Sequence, residues 1–575
     1  MQKYKSIIAR EITKLLETVK EADIETLIEY PPNPEMGDLS LPCFKLSKQL
    51  RKPPQAIAEE LKSRMKPDGV ERIEAVSGYL NFYLDGARFA SSVIGEALAR
   101  GERYGSRNIG EGGKVVIDYS SPNIAKPFHI AHLRSTVIGN ALYRIHDFLG
   151  FDCVGVNHLG DWGTQFGKLI VAYRQWGDET AVDEGGIDEL LRLYVKFHEE
   201  AERDPSLEDE ARGWFVRMEH GDEEALALWR RFVDISMAEF TRIYELLGVS
   251  FDSYAGESFY NGRMDPVVAE LREKALLEAD KGAWLVRLDA YDMPPALILK
   301  KDGSSLYHTR DITAALYRKE TYDFRKAIYV TDYAQNLHFA QWFKVVELMG
   351  YGWAKDLVHV PFGRVSLEGA SLSTRRGNVL KLEDVLNQAI AKTREIMESR
   401  PQPIADIETV SRQVGVGAVI FHDLGSGRIK DIDFKWEDVL NFEGESGPYV
   451  QYTHARACSV LAKAGAAGLA LSEIGQAPDE AALAALPINE ATLRLAKELS
   501  LFGERVELAM RKLEPSIVAR CLVDLAQAFN RFYHECRIMA EADGVRTARL
   551  ALVQAAKLTL ANGLRLIGLE APEQI

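Results

Sequence analysis

Cysteine is scarce in this sequence and is not arranged for cross-linking or metal binding. The 575 residues contain five cysteines, no two of which form a CxxC pair. They are Cys43, Cys153, Cys458, Cys521 and Cys536. Disulfide frameworks and zinc knuckles depend on cysteines at close or regular spacing, so this scatter argues against both. We therefore expect reduced thiols, no protein-bound zinc or other resident metal, and a cytoplasmic location.

Long apolar stretches are also missing. No run of about 18 apolar residues occurs, so the sequence predicts no transmembrane helix and no membrane partner. The first residues show an amphipathic helical pattern interrupted by Glu11, Glu17 and Glu21, which is not the pattern of a signal peptide. The length predicts about three domains with a large core.

The chain as a whole lacks the positive charge that nucleic-acid-binding proteins usually carry. Its formal net charge is −15. However, residues 178–280 hold about 27 acidic and about 11 basic side chains, so this region carries about the whole excess. The chain on either side is close to neutral, and basic faces for RNA can therefore exist at both ends.

The most informative stretch is 115–144, VVIDYSSPNIAKPFHIAHLRSTVIGNALYR. Its apolar, β-branched start predicts a buried strand, the polar residues after it predict a loop, and apolar spacing from about Pro127 predicts a helix. His129 and His132 are three residues apart and therefore lie on one side of the helix start. Free backbone N–H groups and the helix dipole there favour an anion such as phosphate, and Lys126 adds a donor.

The HxxH pattern by itself is weak. Two histidines at this spacing are usually a surface feature of a helix, and they also suit half of a metal site, although the zincin pattern HExxH lacks its glutamate here. A buried strand, a polar loop and a helix start that carries two histidines and a lysine form a more specific combination. It predicts the nucleotide-binding corner of a doubly wound, Rossmann-like α/β domain.

The string SPNIAKPFHIAHLRST resembles the HIGH signature of class I aminoacyl-tRNA synthetases in its arginyl-tRNA synthetase form. This resemblance implies that Lys126, His129 and His132 are catalytic residues that also bind ATP. Ala131 stands where the signature has glycine, which lets the adenine approach the backbone closely. We expect the extra methyl group to weaken ATP packing modestly without loss of function.

Two later stretches contain candidate residues for binding an arginine side chain: GESFY at 256–260 and LYHTRDITAALYR at 306–318. A guanidinium is planar and permanently charged, and a carboxylate binds it in a bidentate manner. By themselves such acidic residues are usually surface charges or helix caps. The resemblance implies that Glu257 and Asp311 hold the guanidinium. Tyr307, one helical turn before Asp311, would form a wall and donate a hydrogen bond.

Three more residues belong to the substrate site that the resemblance implies. Ser121 and Asn123 match positions that orient the α-amino and carboxylate groups, and Gln335 matches a glutamine near the substrate. The alternative role of Ser121 and Asn123 is turn formation, which they could serve at the same time.

The string SLSTRRG, which begins at Ser371, falls where class I enzymes carry KMSKS. Ser371 itself replaces the first lysine of that signature. Cations are needed there because pyrophosphate leaves with growing negative charge. The resemblance implies that Ser373, Arg375 and Arg376 bind the phosphates, with the two arginines catalytic, and that Lys126 does part of the missing lysine's work.

The resemblance covers essentially the full chain and implies three domains. They are an N-terminal α/β domain that contacts the tRNA elbow (1–105), a Rossmann-like catalytic domain (106–400) with acidic helices inserted near 178–250, and an all-α anticodon-binding bundle (401–575). The residues implied to contact the anticodon region are Tyr449, Tyr452, Arg456 and Ile575, the last of which replaces the usual terminal methionine.

Local patterns add three expectations. Apolar spacing predicts one helix across residues 46–61, and alternation predicts one strand across residues 76–85. The Gly- and Ala-rich residues 464–485 predict a flexible loop or a weak helix end.

The resemblance implies an arginine–tRNA ligase that works as a monomer. Its substrates would be L-arginine, ATP as a complex with Mg²⁺, and arginine tRNA. Two alternatives stay open: another class I synthetase or related nucleotidyltransferase, and a non-catalytic tRNA-binding paralogue. The pair Glu257 and Asp311 argues against the first. The intact histidines argue against the second, which only Ala131 and Ser371 favour.

Overall fold

The computed structural model describes residues 1–16, 18–300, 306–367, 370–371, 381–400, 403–442, 444–467, 469, 483, 485–539 and 542–575. The chain divides into two compact units. The first unit comprises Met1–Gly105, Thr453–Val506 and Cys521–Asn562. The second comprises Ser106–Tyr452, Glu507–Arg520 and Gly563–Ile575.

The N-terminal part of the first unit combines a three-stranded antiparallel sheet with helices. Its elements are α1 Gln2–Leu15, α2 Glu21–Leu27, β1 Leu39–Pro42, α3 Phe44–Leu50, α4 Pro54–Arg64, β2 Val70–Val76, β3 Tyr79–Leu84 and α5 Gly86–Arg100. The strand order is β1-β3-β2, and α4 packs against β2 and β3.

The single strand predicted across residues 76–85 is wrong, because the chain turns back there as a hairpin. Val76 pairs with Tyr79. The two residues between them, Ser77 and Gly78, have φ of 50° and 84°. Two-residue hairpin turns favour such positive φ values, and the alternation of apolar residues does not reveal them.

The single helix predicted across residues 46–61 is also wrong. Arg51 ends α3 in the left-handed conformation with φ of 52°, and α4 starts only after Pro53. A residue before proline is restricted toward extended conformations, so the backbone cannot continue the helix through Lys52. The apolar spacing happens to stay in phase across this break.

The second unit is built on a parallel sheet. Its elements up to residue 362 are β4 Lys114–Asp118, α6 Ile130–Phe148, β5 Asp152–Val156, α7 Thr164–Trp176, α8 Glu179–Arg203, α9 Ser206–Glu219, α10 Glu223–Leu247, α11 Asp265–Glu273, β6 Glu278–Asp280, β7 Ala283–Val286, β8 Ala296–Leu299, α12 Tyr307–Tyr322, β9 Lys326–Asp332, α13 Asn336–Leu348 and β10 Leu357–Phe362. The parallel order is β10-β9-β4-β5, which confirms the predicted α/β class. β5 lies on one side of β4 and β9 on the other, so a crevice forms beyond the carboxyl ends of β4 and β9.

The acidic stretch predicted near 178–250 is helical. It forms α8, α9 and α10, and α7 packs against all three. Their inward faces bury large side chains such as Leu190, Trp214 and Phe240. The acidic residues therefore belong to amphipathic helices with an apolar inner face.

The rest of the chain is mainly helical, which confirms the prediction of a helical C-terminal bundle. Its elements are β11 Val365–Leu367, β12 Ala370–Ser371, α14 Leu382–Glu398, α15 Ile407–Leu424, β13 Ile432–Phe434, α16 Trp436–Val439, α17 Gly447–Ala466, α18 Glu490–Lys512, α19 Ser516–Glu535 and α20 Asp543–Leu566. Most of the loop predicted at 464–485 lies outside the described residues. The domain boundaries near 105 and 400 stay predictions.

The five cysteines all lie within the described residues, where each is buried and none forms a disulfide bond. Within the part of the chain that the structure describes, no helix has both the length and the apolarity to span a membrane.

Candidate active site

A cavity of about 590 Å³ opens at the carboxyl ends of β4 and β9 in the second unit. Its walls come from the loop after β4, the first turns of α6, the loop after β5, and the starts of α12 and α13. A doubly wound sheet binds its ligands at this position, and the volume is typical of a site for a small molecule.

All six residues predicted to bind arginine line this cavity. They are Ser121, Asn123, Glu257, Tyr307, Asp311 and Gln335. The chain delivers them from four separate segments, so their meeting is a result of the tertiary fold. The role of each residue stays a prediction.

Asp311 lies on the first turns of α12, where its carboxylate is held by a histidine that the sequence analysis missed. His338 Nε2 lies 2.5 Å from Asp311 Oδ2, and the Asp311 side chain is 28% exposed. Burial alone would raise the pKa of Asp311, but the hydrogen bond and charge of His338 outweigh it and lower the pKa. His338 follows Gln335 by three residues at the start of α13, so the two residues share a helix face. That spacing was the sequence signal that could have identified His338 as a site residue.

Glu257 lies in a short helical turn and already has an internal cationic partner. Arg310 Nη1 lies 3.3 Å from Glu257 Oε1, with only 14% and 16% of the two side chains exposed. Burial raises the pKa of Glu257 to about 7, although the charge of Arg310 opposes that shift. Arg310 directly precedes Asp311, but nothing in the sequence indicated that it pairs with Glu257.

A buried ion pair closes the floor of the cavity. Arg318 Nη1 lies 2.8 Å from Asp118 Oδ2, and the Arg318 side chain is 2% exposed. Ser121 Oγ donates to Asp118 Oδ1 at 2.9 Å. Burial would lower the pKa of Arg318, but Asp118 outweighs it and raises the pKa. Arg318 is seven residues after Asp311 and therefore lies on the same face of α12. That spacing was the one sequence signal that Arg318 belongs to the site.

The two signature histidines lie at the start of α6, and their rings stack with centroids 3.8 Å apart. His129 precedes the helix, and its backbone N–H donates to His132 Nδ1 at 3.2 Å. Burial, reinforced by the charge of Lys126, lowers the pKa of His129 to about 4 and that of His132 well below its usual value. Both imidazoles are therefore neutral at physiological pH.

Only part of the signature stretch reaches the cavity surface. His132 and Ala131, the residue in the signature's glycine position, line the cavity. His129 and Lys126 lie beside it and are not among the lining residues. The expected effect of Ala131 on ATP packing stays a prediction.

The segment with the KMSKS-like string is described only at its two ends. β12 ends at Ser371, and the next described residue is Lys381. Leu382 N–H donates to Phe128 O at 2.9 Å, so the chain that leaves this segment pairs with the backbone beside His129. The predicted phosphate-binding residues Ser373, Arg375 and Arg376 lie outside the described residues.

Of the residues predicted to contact tRNA, three belong to the second unit: Tyr449, Tyr452 and Ile575. Tyr449 and Tyr452 are half-buried on α17, and the Arg400 guanidinium lies 5.2 Å from the centre of the Tyr452 ring. Ile575 packs against an apolar cluster that includes Met397, and its backbone O accepts from Arg400 at 3.3 Å. In the first unit Arg456 donates to Asn530 Oδ1. Their contacts with tRNA stay predictions.

Three family descriptions match successive parts of the chain. Residues 2–84 match the arginyl tRNA synthetase N terminal domain, and residues 93–436 match the class I tRNA synthetase (R) catalytic domain. Residues 450–575 match the DALR anticodon binding domain. The catalytic match covers more than half of the chain and includes every residue that lines the cavity.

Full-length relatives give the same result. The arginine–tRNA ligase of Alkaliphilus metalliredigens is 53% identical over 576 residues, and that of Clostridioides difficile is 52% identical over 576 residues. Both comparisons cover 100% of each chain. The solved arginyl-tRNA synthetase of Thermus thermophilus is similar in structure, with a TM-score of 0.81, 28% identity and 99% coverage of each chain. The chain therefore belongs to the arginyl-tRNA synthetases, a family of class I aminoacyl-tRNA synthetases.

Proposed function

We propose that this protein is an arginine–tRNA ligase. It activates L-arginine with ATP to arginyl-adenylate and pyrophosphate, and then transfers the arginyl group to a ribose hydroxyl of the 3′-terminal adenosine of arginine tRNA. The observation that carries the proposal is the meeting of Glu257, Asp311 and His132 in one cavity. Carboxylates suit a guanidinium, and the start of a helix suits phosphates.

Glu257 and Asp311 receive the guanidinium. Each carboxylate already contacts one internal partner, Arg310 or His338, which restricts its orientation before substrate arrives. Tyr307, whose side chain is exposed to solvent, forms the outer wall of the arginine site. A lysine ammonium would leave one carboxylate poorly paired, and a site built on buried hydrogen bonds rejects such analogues on the order of 10⁴-fold.

The reacting groups lie at the other end of the cavity. Ser121, Asn123 and Gln335 orient the α-amino and carboxylate groups, so that a carboxylate oxygen attacks the α-phosphate in line. His129 and His132, as neutral imidazoles, donate hydrogen bonds to the phosphates. No covalent enzyme intermediate is required, because positioning and charge stabilisation supply the catalysis.

The negative charge of the leaving pyrophosphate is balanced by cations. Lys126, Arg375 and Arg376 contact the β- and γ-phosphates, and Ser373 adds a hydroxyl donor. Mg²⁺ enters with ATP as part of the substrate complex and helps to balance the negative charge of the phosphates. The neutral histidines therefore supply hydrogen bonds, whereas the cations and Mg²⁺ balance the negative charge of the phosphates.

The tRNA contacts other parts of the chain. Basic and aromatic residues in 1–105 contact the elbow, whereas Tyr449, Tyr452 and Arg456 stack on or pair with unstacked anticodon bases and Ile575 adds an apolar contact. We propose that the enzyme works in the cytoplasm as a monomer. Light scattering after size-exclusion chromatography tests the monomer.

Pyrophosphate–ATP exchange tests the activity. It is run with arginine or lysine, each with and without arginine tRNA. We expect exchange only with arginine, and only when tRNA is present. Exchange with arginine in the absence of tRNA would support the ligase activity but show that tRNA is not required for activation. Exchange with lysine would indicate a different class I synthetase, and no exchange from a well-folded sample would indicate a binding paralogue.

A further inference from the structure

The loop formed by residues 120–128, which carries Ser121 and Asn123 toward α6, has an unusual backbone. Ser120, Ser121 and Ala125 have φ of 70°, 48° and 61°. Residues with a Cβ disfavour these values, and such conformations persist only where surrounding contacts hold them. The shape of this loop therefore depends on partners outside it.

α10 of the acidic insertion supplies partners for the second half of the loop. Ser236 Oγ accepts from Ala125 N–H at 2.9 Å and donates to its own helix. One turn later, Glu239 Oε1 accepts from Phe128 N–H at 3.3 Å. Ser236 is fully buried, so no solvent replaces its contact with the backbone at Ala125.

Tyr244, two turns after Ser236, holds the first half of the loop. Its hydroxyl lies 2.8 Å from Ser120 Oγ and accepts from Asn157 Nδ2 at 2.9 Å. Asn157 Oδ1 in turn accepts from Ser121 N–H at 3.2 Å. Tyr244 is 2% exposed and Asn157 is fully buried. Thr136 Oγ1 also donates to Ser120 Oγ at 2.8 Å, so the Tyr244 hydroxyl shares the support of Ser120 and orients the amide that contacts Ser121.

These contacts come from one broad face of α10, because Glu239 and Tyr244 follow Ser236 by three and eight residues and lie on either side of it, each within about a quarter turn. We infer that this face positions residues 120–128 for substrate binding. Tyr244 fixes the conformation of the loop at its arginine-binding end, and Ser236 and Glu239 fix it at the end next to His129. The inference rests on the proposed function, which assigns arginine to Ser121 and Asn123. It gives the acidic insertion a role in the active site beyond that of a solvated scaffold.

The test is Tyr244→Phe, which keeps the ring and removes the hydroxyl. We expect the arginine KM in pyrophosphate–ATP exchange to rise on the order of tenfold, because two buried polar groups lose a partner. The ATP KM should change less than about twofold. The matched control is Tyr173→Phe on α7, which removes a hydroxyl that accepts from Arg231 of α10 at 2.8 Å. Equal KM changes in the two variants would overturn the inference.

Ser236→Ala tests the other half of the loop. It should lower kcat or raise the ATP KM while leaving the arginine KM near its original value, since it releases the backbone at Ala125 rather than at Ser121. A rise in the arginine KM alone would contradict the division of roles along α10. Should Tyr244→Phe fail to fold, this variant still tests the inference.

Amide hydrogen exchange separates this inference from the proposed function. The Ala125 N–H should exchange faster in Ser236→Ala, and residues 119–122 should exchange faster in Tyr244→Phe, whether or not the protein supports pyrophosphate exchange. Unchanged protection in both variants would show that α10 does not hold the loop. Inactive but normally protected wild-type protein would count against the proposed function and not against this inference.

Discussion

At one end of the cavity Glu257 and Asp311 place negative charge ahead of the substrate, whereas at the other end the signature histidines carry none. Glu257 contacts Arg310 and Asp311 contacts His338. Burial and a neighbouring charge instead keep His129 neutral, with a pKa of about 4.

In the proposed function, the difference follows from the charges of the two ligand groups. A guanidinium keeps its charge at any physiological pH, so its site needs carboxylates. His338 outweighs the burial of Asp311, whereas Arg310 offsets the burial of Glu257 only in part. Phosphates bring their own negative charge together with a metal ion, and the proposed cations are Lys126, Arg375 and Arg376, so the two histidines at the helix start can act as neutral donors. The variants below test this contrast, beginning with the largest expected effect.

Asp311→Ala should remove one of the two carboxylates at the guanidinium end. We expect the arginine KM to rise about 10³-fold, the scale for truncating one partner of a buried charge pair, with the ATP KM nearly unchanged. Steady-state pyrophosphate–ATP exchange measures both constants. Asp323→Ala, just beyond the other end of α12, is the control and should change neither. Equal effects of Asp311→Ala on both KM values would end its assignment as guanidinium partner.

His132→Ala should act mainly on kcat, because it removes a donor that strengthens as phosphate charge develops. A loss of about 10²-fold is typical for one such donor. His132→Asn, a neutral donor, should recover part of the loss. His146→Ala removes another buried histidine from the same helix and is the control for packing. If asparagine is as poor as alanine, neutral hydrogen bonding does not explain the role of His132.

Glu257 should make arginine binding weaken as the pH falls. Its pKa in the free protein is about 7, so below this pH it gains a proton and loses the charge that binds guanidinium. We expect the Kd for arginine to be about tenfold larger at pH 6 than at pH 8. Isothermal titration calorimetry measures this directly. Glu257→Gln should bind weakly with a flat profile between these values, and a profile that keeps the wild-type slope would rule out Glu257 as its source.

Tyr307→Phe should have the smallest effect. The side chain is 68% exposed, so its contact with a ligand is mostly that of a wall, which phenylalanine preserves. We expect the arginine KM to change no more than about threefold, the low end of a single solvent-accessible hydrogen bond. Tyr307→Ala is the comparison and should be worse. A tenfold loss in the phenylalanine variant would show that the hydroxyl, rather than the wall, binds substrate.

Secondary-structure predictions from apolar periodicity were confirmed where a single helix or strand spans the pattern. They were wrong where a turn or a helix break interrupts the pattern. The strand, loop and helix around His129 could be predicted because their periodicities change within a few residues. Apolar periodicity misses the hairpin at Ser77 and the break after Arg51, because the signals there are not apolar: Ser77-Gly78 is a turn dipeptide and Pro53 ends a helical pattern. Neither error lies in the candidate site.

The partners of the predicted site residues were not predictable. His338, Arg310 and Arg318 are ordinary helix residues in the sequence, and each becomes informative only beside Asp311, Glu257 or Asp118. The same holds for the face of α10 beneath the loop. Sequence spacing fixes neighbours within a helix but says nothing of which helix lies opposite.

The order of residues along the chain was sufficient to indicate the family, the fold class and the residue types at the site, because signature strings and periodicity are local properties of the sequence. Tertiary structure alone decided which charges meet, which histidines are neutral and what holds the loop before α6. Burial, distance and desolvation determine those properties, and they arise only when segments far apart in sequence pack together.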